Sequence, residues 1–550
     1  MRIFSALAIC LILLAKTASP AIAQHDPGVR GGFANTSGML QYNALQAYHH
    51  TGQLPSIDNP PIPRVPLISP HPVTGAGVTD NEAKSFLEGI NRAGQLESTC
   101  DNCAMVPDGS PALNRNEMDP FMPQFNTNSN GLGARHNADQ CFACHSQPTL
   151  GGSGGFLVPN AKEVALNSKP PNKPENPQFD LIPHRFGRLN VVPGFEEQFG
   201  PIREVRFKYK IDATGELLKN GSGNLIPDGG VHQLWTVRGT QGDATIGNCA
   251  LTQPDFEKQA SNGNIAFRIP LQMLGLGLIE SIQDREILAR HDATALDRRA
   301  LKIDGHPNIS GNDGTITRFG WKAQNKSITM FAGEAYNVEM GITNELFPTA
   351  TEENPDCQGN NKPEPNDVTR TQPNDTTGNP NQSFNNPLHI LADWMQFQIM
   401  MRFTEAPLPD PNPSTSAQHG RDVFNTIGCG LCHTPRMQTA PVMNSAVLQD
   451  RPVNLYSDLF VHHMGSNLAD GISQGQAAGD EFRTTPLWGV GQRLFFLHDG
   501  RTSDLTAAIR DHRSPADDGY PASEANLVID KFDQLSRSDK QAVLDFLRSL

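Results

Sequence analysis

The chain lacks any apolar run long enough to cross a lipid bilayer. A membrane-spanning helix needs about 20 apolar residues, whereas the run from Ile3 to Ala15 is shorter and no later stretch approaches that length. Positive charge is also in short supply, since 44 Lys and Arg residues face 58 Asp and Glu residues and leave a formal net charge of −14. This acidic excess argues against nucleic acid and anionic membranes as partners, and it permits docking of a basic protein.

The first residues have the pattern of a secretory signal peptide. Met1-Arg2 is a short positive segment, Ile3 to Ala15 is mostly apolar, and Ala21-Ile22-Ala23 is a small-residue cleavage site. We therefore expect residues 1–23 to be removed and the mature protein to be periplasmic, in a compartment where thiols are oxidised. Removal also takes away Arg2 and Lys16, so two positive charges are lost and the formal charge falls from −14 to −16.

Cysteine is scarce, and its placement is informative. With 9 Cys and 17 His in the chain, chance would give a Cys-x-x-Cys-His pentad about 0.005 times. Two are present, Cys141-Phe142-Ala143-Cys144-His145 and Cys429-Gly430-Leu431-Cys432-His433. In such a pentad the two thiols can bond to the vinyl groups of one haem while the histidine binds its iron. The sequence therefore predicts two covalently bound haem c groups. Zinc is the alternative, but neither pentad has an obvious second ligand pair nearby.

Four further cysteines remain once the signal peptide is removed. Cys100, Cys103, Cys249 and Cys357 make an even number in an oxidising compartment, which favours structural disulfides. Three pairings are possible, and we favour Cys100 with Cys103 and Cys249 with Cys357. A redox-active Cys100/Cys103 pair is the alternative. Ala104 follows Cys103 where a haem site would need histidine, so this is not a third pentad.

Length and composition predict the domain organisation. Roughly 527 mature residues are too many for one core and indicate two or three domains. Residues 349–386 are dense in Asn, Pro, Thr, Asp and Gly, which predicts a linker. We therefore expect an N-terminal extension at 24–130, a first haem c domain with insertions at 131–348, the polar linker at 349–386 and a second haem c domain at 387–550.

Hydrophobic periodicity predicts mostly helices. The predicted helices are Asp80 to Leu96, Ser327 to Ala335, Pro387 to Phe403, Ala417 to Ile427, Ser503 to Asp511 and Ser536 to Leu550, the last capped by Ser536 or Ser538. The predicted strands are Val205 to Ile211 and, with looser alternation, Val231 to Arg238. The expected fold class is mainly α, with two cytochrome c-like haem domains, a small β insertion and long irregular loops.

A short internal repeat supports two related halves. In each half a pentad is followed by a Phe-Arg-x-Pro-Leu type segment, a glycine turn and a helix. The matching segments are Phe267 to Leu271 with Phe482 to Leu487, Gly275 to Gly277 with Gly489 to Gly491, and Arg318 to Ala323 with Leu497 to Arg501. The order of the segments indicates duplication of a cytochrome c module.

Several runs resemble one known family. Pro486-Leu487-Trp488-Gly489-Val490-Gly491, Phe496-Leu497-His498-Asp499-Gly500-Arg501 and Leu505-Thr506-Ala507-Ala508-Ile509 are similar to the di-haem oxidoreductase family, peroxidase-like proteins that are sometimes labelled thiol oxidoreductases. Tyr456 to Leu459, His463 to Gly465 and Gly341 to Asn344 resemble it as well. The resemblance covers about 130–350 and 387–550. It extends more distantly to bacterial di-haem cytochrome c peroxidases and to the di-haem enzyme that matures methylamine dehydrogenase.

The resemblance implies that one haem transfers electrons and is six-coordinate. His512 follows the His-Asp-Gly turn, where the relatives place the sixth ligand, so His433 and His512 are the expected ligands of this haem. Alternatively, His512 is a surface histidine near a helix end. Met464 is a rival ligand, although its segment resembles one that packs along the haem edge in the relatives.

The resemblance also implies that the other haem, held by His145, reacts with the oxidant. It places Trp321 between the haems and Glu339 in the peroxide pocket, where a carboxylate can move a proton between the peroxide oxygens. A core Trp321 and a capping or salt-bridged Glu339 are the alternatives. Thr329 stands where the relatives carry glutamine, which puts a full peroxidase pocket in doubt. The related peroxidases place a displaceable histidine ligand shortly after the first pentad. Here no histidine occurs between Ser146 and Pro183, and the first beyond them is His184. We therefore expect the iron bound by His145 to have an open sixth position.

These features predict a periplasmic di-haem c-type oxidoreductase that reduces hydrogen peroxide at the first haem. Electrons would enter through the second haem from a small cytochrome c or cupredoxin. The alternatives are a di-haem oxygenase that uses dioxygen on an organic substrate, and a non-catalytic electron carrier. A calcium ion lies between the domains in the relatives, but no carboxylate cluster here identifies its ligands.

Overall fold

The computed structural model describes residues 24–30, 65–94, 96–98, 128–130, 133–138, 140–155, 190–197, 200–236, 251–349 and 391–550. Within these ranges, none of the helices combines the length and apolar character needed to span a membrane. The predicted signal peptide, nearly all of the predicted linker and His184 lie outside the described residues. Cys100, Cys103, Cys249 and Cys357 do as well, so the predicted disulfides stay predictions.

The described part of the chain is rich in helix and has small two-stranded sheets. The helices are α1 (Asp80–Ala93), α2 (Phe256–Ser261), α3 (Leu276–Glu280), α4 (Asp284–Ala293), α5 (Ala295–Ala300), α6 (Ile328–Met340), α7 (Asp393–Phe403), α8 (Thr415–Ile427), α9 (Leu505–Asp511), α10 (Asn526–Gln534) and α11 (Arg537–Ser549). The strands are β1 (Leu96–Ser98), β2 (Asn128–Asn130), β3 (Arg135–His136), β4 (Glu204–Phe207), β5 (Trp235–Thr236), β6 (Ile265–Arg268), β7 (Met437–Gln438), β8 (Pro452–Val453), β9 (Val461–His463) and β10 (Glu481–Arg483). Short 3-10 turns cover Cys141–Ala143, Cys429–Leu431 and Val490–Gln492.

The predicted helices are present, with some ends shifted. Ser536 caps α11 by accepting a hydrogen bond from the backbone N–H of Asp539, which confirms one of the two predicted caps. Helix α1 ends at Ala93 because Leu96 belongs to β1. Helix α7 begins at Asp393, whereas Pro387 was predicted, and α6 continues past the predicted end to Met340. These differences concern helix ends, which local sequence defines least well.

The predicted first strand is shorter than expected. Strand β4 ends at Phe207 and pairs with β6 in antiparallel register, so that Glu204 lies opposite Arg268. Beyond Phe207 only isolated bridges at Tyr209 and Ile211 continue the alternation. Within the second predicted strand, Val231 to Arg238, the structure has β5, which pairs with β3, and residues 237–238 lie outside the described ranges. The β content is therefore small, and it places charged side chains of distant segments next to each other.

Helix packing forms two main apolar cores. The first contains Phe142 of the first pentad and side chains from α1, α3, α6 and α7. The second contains side chains from α8, α9, α10 and α11. Helix α7 was predicted to be part of the second haem domain, yet it packs against α1 and α6 of the first core. The domain boundaries, including the polar linker, stay predictions.

The closest helix crossing of the second core depends on a glycine. Gly420 on α8 faces the backbone of α11, and a Cβ placed there would lie 1.8 Å from the carbonyl oxygen of Ala542. No larger residue fits this crossing without a backbone shift. On the same helix Val423, Phe424 and Ile427 are buried, as their spacing predicts.

The predicted repeat corresponds to two matching loops, each hydrogen-bonded to the other half of the chain. Phe319 bridges Asn325 in one tight loop, and Phe496 bridges Thr502 in the matching loop. The backbone N–H of Ile269, in the first half, donates to His498 O at 2.7 Å, and that of Arg483 donates to Trp321 O at 2.8 Å. Each half therefore holds the loop of the other, which fixes the two cavities described next relative to one another.

Candidate functional site

Each pentad folds into a 3-10 turn at the rim of a cavity. Residues Cys141, Cys144 and His145 line one cavity, which we call the His145 cavity. Residues Cys429, Cys432 and His433 line the second, the His433 cavity. Their empty volumes, open mouths included, are about 1220 and 1400 Å³. Both spaces lie directly beside the two thiols and the imidazole that would bind a haem.

The second pentad is positioned by the end of α8. Gly428 follows Ile427 with φ of 107°, a left-handed conformation that favours glycine, and its N–H returns to the carbonyl of Phe424. The chain turns there, and the N–H of His433 donates to Cys429 O at 2.9 Å. Thiols and imidazole thus face the same space.

Both pentad histidines are oriented in the same way. Nδ1 of His145 lies 3.1 Å from Gly152 O, and Nδ1 of His433 lies 3.1 Å from Tyr456 O. When Nδ1–H donates to a carbonyl, Nε2 keeps its lone pair for a metal. Burial lowers the pKa of both histidines, to about 4 for His433, so both stay neutral as iron ligation requires.

The His433 cavity brings a second imidazole to the site. His512 follows α9 and lines this cavity, with Nδ1 held 2.8 Å from Ala508 O. It lies near enough to His433 for its charge to lower the pKa of His433, after the larger effect of burial. The structure therefore places His512, which is half-buried, beside the second pentad.

Two further candidates line the same cavity. Met464 packs against Ile269, Trp321 and Phe482, which agrees with the packing role that the sequence favoured for it. His498, which the sequence analysis did not single out, stacks on Phe482 with ring centroids 4.2 Å apart. The His-Asp-Gly run was the signal that could have identified it.

The zinc alternative rests on one cluster. Among the described residues, Cys432, Asp458 and His462 are the set that could hold a metal ion. However, Asp458 is paired with Arg298 at 2.6 Å, and His462 lies between Asp458 and Glu524 at 3.0 and 2.7 Å. Although burial opposes it, Cys432 first and Asp458 second raise the pKa of His462 well above its usual value. Both ring nitrogens of His462 already face carboxylate oxygens, which disfavours metal binding by this imidazole.

The His145 cavity is faced by acidic side chains. Glu339 lies in the last turn of α6 and lines the cavity together with Glu204 and Glu334. Among the described residues that line it, His145 is the only histidine, and the methionines are Met273, Met340, Met400 and Met401. An open sixth position, as preferred from the sequence, is compatible with this wall.

Glu339 neither caps a helix nor pairs with a dedicated cation. Its Oε2 accepts a hydrogen bond from Asn137 Nδ2 at 2.7 Å, and its carboxyl is near enough to that of Glu204 for the two groups to affect each other's pKa. Burial first, and the charge of Glu204 second, raise the pKa of Glu339 to about 8. This carboxyl therefore holds a proton at neutral pH.

Glu204 has the opposite charge state. Burial alone would raise its pKa, but Arg206, to which it is salt-bridged, and Arg268 across the β4–β6 pair outweigh burial and hold the pKa below its usual range. The cavity therefore contains an acid, Glu339, and a base, Glu204, on the same wall. Sequence reasoning missed Glu204, because nothing local marks a glutamate at the start of a strand.

The distal glutamine was also missed. Thr329 does not line the cavity, and its hydroxyl donates to Gln398 Oε1 at 2.5 Å. Gln324 does line it, with a buried Oε1 that has no hydrogen-bond partner among the described residues. It belongs to the same stretch, 318–340, so the cavity contains a glutamine even though Thr329 departs from the pattern of the relatives.

Trp321 contributes to the walls of both cavities. Its Nε1–H donates to Ile269 O at 2.9 Å, and its ring meets His498 edge-on with centroids 6.2 Å apart. The side chain is 8% exposed. The structure therefore places this indole between the two candidate haem sites.

Comparisons with known proteins agree with these cavities. A family model described as "Di-haem oxidoreductase, putative peroxidase" matches residues 251–550. No curated protein matches. Matching structures include hydrazine synthase of Kuenenia stuttgartiensis pressurised with 20 bar xenon, at 16% identity over 30% of this chain and 56% of that chain, with a TM-score of 0.19. A MauG-like protein associated with microbial copper homeostasis matches at 15% identity over 30% of this chain and 54% of that chain, with a TM-score of 0.21. The chain thus spans about half the length of these structures, and TM-scores this low support no structural argument.

Proposed function

Because this chain belongs to the di-haem oxidoreductase family, we propose that it is a periplasmic di-haem c-type oxidoreductase that reduces hydrogen peroxide at the haem held by His145. In this reaction one hydrogen peroxide, two protons and two electrons give two molecules of water. The electrons come, through the haem held by His433, from a small periplasmic cytochrome c or cupredoxin.

The proposal rests above all on the groups that share each cavity with the pentad histidine. His433 shares its cavity with His512, a second imidazole, which suits a saturated iron that only passes electrons. His145 shares its cavity with Glu339 and Glu204, which suits an iron that binds a substrate needing protons. Bound haem supplies the iron that takes the peroxide and delivers the electrons.

Within the His145 cavity, the acidic pair supplies both directions of proton transfer. The hydrogen bond from Asn137 to Oε2 favours the Glu339 proton on Oε1. Glu204, ionised beside Arg206, can accept a proton from peroxide, while Glu339 donates its own to the oxygen that leaves as water. General acid–base catalysis of this kind contributes about 10²- to 10⁴-fold in rate.

Between the cavities, Trp321 offers an aromatic connection. Its hydrogen bond to Ile269 O fixes the indole, and both cavities touch it. A fixed ring between two redox groups gives electrons a route that needs no movement of the protein.

Location, donor and calcium belong to the same proposal. The signal peptide pattern and the Cys-x-x-Cys-His spacing support export and covalent attachment of the haem, and the acidic charge supports a basic donor. Calcium has weaker support. The buried carboxylates closest to the junction have basic partners: Asp470 pairs with Arg268 and Lys322, and Glu481 pairs with His306.

Spectroscopy of the holoprotein tests the proposal. We expect a high-spin signal from the His145 haem beside a low-spin, bis-nitrogen signal from the His433 haem, recorded by EPR in the ferric and half-reduced states. Stoichiometric peroxide should consume the high-spin signal alone. Two low-spin haems that are inert to peroxide in both states would contradict it and leave an electron carrier, with one of the four cavity methionines as the obvious ligand.

A further inference from the structure

Two arginine side chains are buried between the halves and have no acidic partner among the residues that the structure describes. Arg483 is 6% exposed and Arg493 is 9% exposed. The side chain of Arg483 donates from Nε to Gly320 O at 2.9 Å, and that of Arg493 donates from Nη2 to Ser153 Oγ at 3.1 Å. Nη1 of Arg483 and Nε of Arg493 are buried without any hydrogen-bond partner among the described residues. Each guanidinium is therefore satisfied only in part.

Other buried arginines of the protein have an acidic partner. Arg268 pairs with Asp470 at 2.5 Å, Arg298 with Asp458 at 2.6 Å, and Arg548 with Asp26 at 2.6 Å. A buried charge without a counter-ion costs several kcal/mol. Burial is also the sole cause that lowers the pKa of Arg483 and of Arg493, in both cases to about 10. Both side chains stay charged at neutral pH and lack an anion.

The position of the two guanidiniums identifies where that anion belongs. Both line the His433 cavity, together with the hydroxyl-bearing residues Thr484 and Thr485. Neither lines the His145 cavity. Both also touch a third, smaller cavity, of about 430 Å³ with its open mouth included, which no pentad residue lines. The missing partner is therefore an anionic part of whatever fills the His433 cavity.

We propose that Arg483 and Arg493 bind the propionate carboxylates of the haem held by His433. A haem carries two propionates, and the cavity presents two guanidiniums, which pair with carboxylates more strongly than any other side chain. The assignment rests on the proposed haem in this cavity, and it does not depend on the peroxide reaction. The two arginines are positioning residues for the cofactor.

The assignment has a structural consequence. Arg483 also holds Gly320 O, next to Trp321, and Arg493 also holds Ser153, next to Gly152, whose carbonyl accepts from His145 Nδ1. The propionates would thus share their arginines with the loop that carries Trp321 and with the loop that orients His145. The two arginine–propionate pairs would therefore also hold the two loops that border the first haem site.

Reduction potentials of the holoprotein test this. We expect R483Q and R493Q each to lower the midpoint potential of the His433 haem, because a cation beside a haem stabilises its reduced form. The double variant should lower it further, and the His145 haem should shift less. The matched control is R290Q, which removes an exposed arginine paired with Glu286 and should leave both midpoints unchanged.

Native midpoints in both glutamine variants, with free energies of unfolding that rise, would overturn the assignment, since removing an unpaired buried charge stabilises a protein. Should the glutamine variants fail to accumulate, R483K and R493K keep the charge and the fold. With ¹³C-labelled propionates, the infrared carboxylate band should then shift when ammonium replaces guanidinium, and an unchanged band would refute the pairing. None of these measurements uses peroxide, so a protein inert to peroxide could still confirm it.

Discussion

One wall of each cavity is built in the same way, and the other walls differ. In both, a pentad turn presents two thiols and a histidine whose Nδ1 lies 3.1 Å from a backbone carbonyl. Beyond this wall, one cavity contains His512 and the two partly satisfied arginines, and the other contains Glu339, Glu204 and Gln324. Under the proposed function, these few side chains beyond the pentads, and not the pentads themselves, distinguish an iron with two protein ligands from one open to substrate.

Replacing Glu339 should remove most of the chemical difference between the two cavities. In E339Q the side chain keeps its size and its contact with Asn137, but the acid of the Glu339/Glu204 pair is lost. We expect kcat for peroxide reduction to fall about 100-fold or more, with both haem spectra unchanged. E345Q is a suitable control, because Glu345 contacts Trp394 and does not line the cavity. Wild-type turnover in E339Q would remove Glu339 from the mechanism.

The pH profile sharpens the same point. A raised pKa means that Glu339 keeps its proton up to about pH 8 and loses it as the pH rises through that value. Turnover should therefore be highest below about pH 8 and fall about tenfold per pH unit above it. Stopped-flow rates between pH 6 and 10 measure this limb, and the limb should be absent in E339Q. A profile that is flat across this range would contradict the assigned proton donor.

Replacing His512 should make the two cavities more alike. In H512A the His433 iron loses the imidazole that shares its cavity, so its low-spin EPR signal should become high-spin and added imidazole should restore it. M464L should leave the signal low-spin, since Met464 packs against Trp321 and Phe482. A low-spin signal in H512A together with a high-spin signal in M464L would show that Met464, and not His512, is the ligand.

How much of this comparison the sequence could predict depends on distance along the chain. The pentads, Glu339 and Trp321 lie in local patterns, and the structure places them at the cavities. Glu204 reaches Glu339 only through the pairing of β4 with β6, and Arg493 reaches Ser153 across the two halves. Hydrophobic periodicity carries no information on such contacts, because each partner is an ordinary polar residue in its own segment. The packing of α7 on the first core escaped prediction for the same reason.

The smallest expected effect on the rate distinguishes Gln324 from Thr329. Gln324 lines the His145 cavity with an oxygen that has no partner, whereas Thr329 points to Gln398. We expect Q324L to slow peroxide reduction about tenfold, because it removes a polar group that can orient the bound peroxide. T329Q, which restores the residue of the relatives, should change the rate little, since the new side chain begins outside the cavity. A gain in T329Q with no loss in Q324L would show that spacing along α6, and not the cavity wall seen here, decides which glutamine acts.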